Sequence, residues 1–114
     1  MAKIDRLERL DRRRAEQEAE YRELLSGALT QAAAGKAGLF NRRADKRERA
    51  AAAPLIDALR ELGDEIDDLR RQLMIERFAL HQQFFDARGR ASPSAVGEPR
   101  QAAEWLERLA AEAE

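Results

Sequence analysis

The chain contains no cysteine. Disulfides, zinc–thiolate sites and thiol catalysis are therefore excluded. It has one histidine, His81, and its aliphatic hydroxyls are limited to Ser26, Thr30, Ser92 and Ser94. Two of the serines lie in a loop with no basic partner in view, and no glycine-rich phosphate loop follows a strand pattern, so catalysis has no motif to rest on. Apolar runs are short, none near the roughly 20 residues that a membrane span requires. The stretch Met1-Ala2-Lys3-Ile4-Asp5-Arg6 turns charged at once and has no signal-peptide apolar region, which makes a cytoplasmic location the expectation. Aromatic residues are only 5% of the chain, so no thick globular interior is expected.

Charge and helix formers are what the chain has in abundance. Charged residues are 38% of the total, against about a quarter in ordinary globular domains. Much of the 44% hydrophobic share is alanine, which favours helix but buries little surface. Arginine far exceeds lysine, a usage that fits a GC-rich bacterial genome. The net charge of −1 conceals an asymmetry. Residues 1–53 carry 13 Lys/Arg and 9 Asp/Glu, whereas residues 54–114 carry 8 and 13. Such halves can pair with each other or present a basic surface to a partner.

The strongest pattern is a heptad seam. Leu55, Leu59, Leu62, Ile66, Leu69 and Leu73 alternate in steps of four and three, which lines one face of a helix with apolar residues and leaves the others charged. A weaker repeat runs through Leu7, Leu10, Tyr21, Leu24 and Ala28, with Arg14 and Gln17 in its middle positions. The expected fold is all-α: an antiparallel, coiled-coil-like hairpin of two long helices with a short C-terminal helix, forming a single domain over residues 1–114. Helix 1 is expected at about 3–33 and a turn at 34–41, where Gly35 and Gly38 break the pattern. A long helix follows at about 42–88. Pro54 either kinks it or starts a new helix, because proline removes an N–H and clashes with the preceding turn. A Gly/Pro/Ser-rich loop at 89–98 leads to helix 3 at about 99–113.

Folding helix 1 back about Ala37 sets residues whose numbers total about 75 opposite one another. Leu10 then meets Ile66, Leu7 meets Leu69, and the Arg12–Arg14 block meets Glu61 and Asp64. Past Leu73 the seam widens into Met74, Ile75, Phe78, Leu80, His81, Phe84 and Phe85, which implies more than one packing partner.

That widened stripe is the first candidate site. Met74, Phe78, His81, Phe84, Phe85 and Trp105 are assigned to partner binding, since aromatic residues dominate interface hot spots. Arg42, Arg43, Lys46, Arg47 and Arg49 form the densest basic cluster, a candidate anion-binding segment for nucleic-acid phosphates, although no aromatic is interleaved for base stacking. Glu61, Asp64, Glu65 and Asp68 read as a solvated acidic face rather than a metal site, because no Glu-x-x-His pair accompanies them. No catalytic, cofactor or metal residues are assigned, and no cofactor, membrane or small-molecule substrate is expected. The sequence thus reads as a non-enzymatic helical interaction module, an adaptor, escort or regulator, that binds a protein partner or itself as a homodimer through the Met74–Phe85 face. The alternative is a nucleic-acid-associated protein using Arg42–Arg49.

Overall fold

The computed structural model describes the backbone of residues 2–34, 46–90 and 98–113, and the side chains of 4–34, 53–87 and 99–112. Within them the chain is all helical, with α1 at Ala2–Ala33, α2 at Lys46–Gln72, α3 at Ala79–Arg90 and α4 at Glu98–Ala113. Helix α1 packs against both α2 and α4. At 1.5 Å per residue its 32 residues reach about 48 Å, which accounts for most of the 55 Å long axis. Pro54 lies inside α2, eight residues past its start, so the segment from Lys46 joins the seam as one helix. Of the turn expected at 34–41 and the loop expected at 89–98, residues 35–41 and 91–97 lie outside the described residues, while 89, 90 and 98 belong to helices.

The long helix expected at 42–88 does not exist as one piece. It stops at Gln72 and restarts at Ala79. No glycine or proline marks the break. Instead Met74 takes the left-handed conformation, with φ of 59°. Its N–H donates to the Arg71 carbonyl and the Ile75 N–H donates to the Arg70 carbonyl, both at 3.0 Å. These two bonds are the Schellman pattern, which satisfies carbonyls left open at a helix C-terminus and usually has glycine where Met74 stands. Two α2 side chains then pin the connection. Asp67 accepts the Phe78 N–H at 2.8 Å, and Arg70 Nη1 donates to the Glu76 carbonyl at 3.0 Å. The Phe78 carbonyl accepts the Gln82 N–H, so Phe78 serves as the cap residue of α3.

After the break α3 returns along α2. Phe78 meets Asp67, His81 meets Asp64, and Phe85 lies under the Arg60 guanidinium at 5.4 Å. Later α3 positions therefore meet earlier α2 positions. The physical reason is apolar burial. Phe78, Leu80 and Phe84 are buried to 4% exposure or less. Each such side chain contributes on the order of 1.5–3 kcal/mol. A non-glycine residue in the left-handed region costs about 1–2 kcal/mol, which those gains exceed.

The core collects Tyr21, Leu25, Ala28, Leu29 and Ala32 from α1 with Ile56, Leu59 and Ile66 from α2. Phe78, Leu80 and Phe84 join from the connection and α3, and Ala102 and Leu109 from α4. The seam residues Leu59, Ile66 and Leu69 are buried, as their spacing implies, while Leu55, Leu62 and Leu73 are half-buried. The register differs from the expectation. Gln17, placed opposite residue 58 by a turn at Ala37, instead donates to Glu65, seven residues further along α2. Glu18, placed opposite residue 57 by the same turn, pairs with Arg70, so the expected facing pairs are not the observed ones. The Arg12–Arg14 block consequently misses Glu61 and Asp64. Arg14 pairs on its own helix with Asp11 and Glu18, and Arg12 and Arg13 are exposed.

Replacing Met74 by glycine should relieve the left-handed strain at a side chain that is 93% exposed and makes no core contact. We expect Met74→Gly to raise stability by about 1 kcal/mol, read as a higher urea midpoint at unchanged slope. A lower midpoint would contradict the assigned turn geometry.

Candidate functional site

The chain's one imidazole occupies the centre of the fold. His81, on the first turn of α3, is 6% exposed and sits over Gly63 of α2. A Cβ built at Gly63 would lie 2.2 Å from His81 Nδ1 and 2.3 Å from Cε1, so the ring fills the space that any other residue would occupy. His81 Nδ1 lies 2.9 Å from the Tyr21 hydroxyl. With Tyr21 donating to Nδ1, the Nε2–H faces the Asp64 carboxylate at 3.6 Å. Tyr21 meets Phe78 edge-on at 5.3 Å and His81 at 5.4 Å, and His81 meets Phe85 at 4.9 Å. Phe84 continues the cluster to Phe85 at 5.3 Å and to Trp105 of α4 at 5.8 Å. Burial pushes the Tyr21 phenol far above its ordinary pKa, and the nearby Asp67 carboxylate adds to the shift.

These contacts change the role of the aromatic stripe. Phe78, His81 and Phe84 are buried in the chain's own core, and Phe85 and Trp105 are half-buried against it. The expected partner-binding face from Met74 to Phe85 is thus mostly interior. Breaking the long helix folds the stripe inward, a step that heptad counting does not reveal. Only its first residues remain outside, with Met74 93% and Ile75 45% exposed. They border an open groove of about 740 Å³ that Asp64, Asp67 and Asp68 line on the α2 side.

A polar layer closes the other end of the core. Arg14 bonds Glu18, and Glu18 bonds Arg70 across to α2, where the Arg70 guanidinium also lies over the Phe78 ring at 5.4 Å. These three side chains are 20% exposed or less. Gln17 belongs to the same layer, and its Oε1 is buried without a hydrogen-bond partner. Past this layer α1 runs on as an arm. Leu7 and Ile4 fall two and three heptads before the buried Tyr21 and Leu25, hence on the same face, yet they are 43% and 54% exposed.

Sequence reasoning missed Gly63 and Tyr21 as a functional pair. A signal existed for Gly63, because an isolated glycine inside a helical pattern often marks a close approach. The acidic residues Glu61, Asp64, Glu65 and Asp68 do not converge, and no group able to hold a metal occurs among the described residues. Arg42 and Arg43 lie outside the described residues, as do the side chains of Lys46, Arg47 and Arg49. No protein-family model, curated protein or solved structure matches the chain.

The Gly63–His81 contact predicts a reversal of sign. Gly63→Ala gains about 1 kcal/mol of helix propensity but overpacks the ring, and overpacking costs about 1–3 kcal/mol. We expect net destabilisation by roughly 1–2 kcal/mol, including the lost Tyr21–His81 contact. In a His81→Ala background the same substitution should stabilise, by up to about 1 kcal/mol. A four-member cycle of urea denaturation curves measures both, and equal effects in the two backgrounds would refute the contact.

Proposed function

We propose that the chain is a non-enzymatic helical interaction module, of adaptor or regulator type, that pairs with a second copy of itself through the exposed N-terminal arm of α1. The observation that carries this reading is the uncovered continuation of the core face. From Tyr21 onward that face is buried, and before Arg14 the same face presents Ile4 and Leu7 to solvent. A helix face patterned for contact and left without an intramolecular helix is a docking surface. Its flanks suit a copy of itself. Residues 3–11 read as three triplets in the order basic, apolar, acidic, with Lys3, Arg6 and Arg9 balanced by Asp5, Glu8 and Asp11. Two such arms meet without net repulsion, whereas a strongly basic or acidic arm would oppose its own kind.

The hairpin arrangement of α1 and α2 belongs to the same proposal. Gln17 bonds Glu65 and Glu18 pairs with Arg70, both in the second half of α2, which favours the later residues of α1 lying against the first half of α2. In an antiparallel pair the arm then projects past the end of α2. The non-enzymatic reading is supported by His81, whose Nδ1 is taken by Tyr21 and whose ring is packed over Gly63.

Sedimentation equilibrium tests the proposal. Wild type should be dimeric at concentrations on the order of 100 μM, and the Ile4→Glu/Leu7→Glu variant should be monomeric. Both residues are outside the core, so helicity should be unchanged and the melting temperature should fall by no more than a few degrees. A wild type that stays monomeric up to about 1 mM, a Kd too weak to matter, would overturn the self-association.

A further inference from the structure

The four helices meet at a second groove, on the face of the core where Phe78 is covered by cations. It has a volume of about 340 Å³, at the small end of ligand pockets. Arg22 of α1, Arg70 of α2, Arg77 of the connection and Arg108 of α4 line it, against Glu76 and Glu112. Three of these arginines are held in place by their surroundings. Arg22 and Arg70 lie over the Phe78 ring at 5.9 and 5.4 Å, and Arg108 lies over Trp105 at 4.8 Å and donates to Gln83.

The carboxylates near these arginines are shared. Glu112 accepts from Arg22 at 3.1 Å and from Arg108 at 3.2 Å. The Arg22 bond is the main cause that holds the Glu112 carboxyl below the usual carboxylate range. Glu18 serves both Arg14 and Arg70. A guanidinium has five N–H donors, and one oxygen of a shared carboxylate uses one or two. Arg70 already gives bonds from Nε and Nη2 to Glu18 and from Nη1 to the Glu76 carbonyl, so the donors left beside the groove come mainly from Arg22, Arg77 and Arg108, and the lining carries more positive than negative charge. The first residues of α3, Ala79 and Leu80, also line it, and no acidic residue stands in the first turn of that helix.

We propose that this groove binds a doubly charged tetrahedral oxyanion, a phosphate either free or as the monoester of a small molecule. Guanidinium groups recognise phosphate through paired N–H···O bonds, and the four arginines of the lining outnumber its two carboxylates, Glu76 and Glu112. The site is independent of the α1 arm and of self-association. It also goes beyond the sequence reading, in which no small molecule is bound.

Titration of the full chain with inorganic phosphate and, separately, with glycerol phosphate tests the site, followed by NMR of the arginine Nε–H resonances at low ionic strength. Saturable shifts of Arg22, Arg70 and Arg108 are expected, with a Kd of about 1 mM or tighter for at least one probe. The tighter probe identifies the free ion or the monoester as the form preferred. Arg77→Ala should weaken binding by about tenfold, the value of one charge-assisted hydrogen bond. Glu112→Gln should tighten it several-fold, because it releases two arginines from a competing carboxylate while leaving a hydrogen-bonding side chain. Arg100→Ala, outside the groove, should leave binding unchanged. Absence of saturable shifts with both probes up to about 10 mM, or equal binding by wild type, Arg77→Ala and Glu112→Gln, would overturn the proposal.

Discussion

An α-helix sets a Cβ on its surface at every residue, and at Gly63 it does not. The His81 ring occupies the vacated space, at a distance no other side chain at 63 would allow. That single omission brings α3 down onto α2 and carries an imidazole to the Tyr21 hydroxyl on α1. Three helices are thereby tied at one point, and the aromatic rings from Phe78 to Trp105 pack outward from it. The cost is a helix break without glycine or proline, with Met74 in a strained backbone conformation. The break persists because the aromatic core it closes is worth more than the strain.

The same hub divides α1 in two. On one side lie the buried residues from Tyr21 to Ala32, and on the other lies a half-buried layer of Arg14, Gln17, Glu18 and Arg70. A polar layer of this kind is a weak source of stability, since desolvation offsets most of the charge attraction. Its consequence is positional. A fully apolar seam could slide by a heptad, as the pattern of Leu7, Leu10 and Leu24 permits, whereas Glu18 must meet Arg70. Register specification is the best-attested use of buried polar groups in helical seams. The layer also marks where intramolecular cover ends, and the exposed Ile4 and Leu7 beyond it are the basis for self-association.

Much of this fold was legible in the residues. Heptad steps placed α2 and its buried face, and proline and glycine punctuation placed the start of α4 and the end of α1 within two residues. Trp105, grouped with the aromatic stripe from sequence, does pack against Phe84 of that stripe. The break at Leu73–Phe78 was not legible, because it depends on tertiary contacts from Asp67 and Arg70 rather than on a breaker residue. With that break unseen, an aromatic stripe that belongs to the interior read as a surface for partners. The facing pairs were also missed, because a repeat of leucines leaves the pairing open, and Leu7, matched to Leu69 by counting, is exposed. The arginine groove could not be read either, since Arg22, the Arg70–Arg77 pair and Arg108 are distant in sequence and are joined only by the fold.

Tyr21 is the only tyrosine in the chain, so its ionisation reports directly on the hub. Its phenol is held well above its ordinary pKa by burial and by Asp67. In the unfolded chain the phenol ionises near pH 10, and in the folded chain it does not. Stability is therefore complete below about pH 10 and falls above it by up to about 1.4 kcal/mol per pH unit until the raised folded value is reached. The direct measurement is an alkaline titration that follows phenolate absorbance and helical circular dichroism on the same sample. If Tyr21 is sealed against His81 over Gly63, the phenolate appears only as helicity is lost, in one coincident transition. A phenolate that titrates near pH 10 with helicity intact would contradict the central claim.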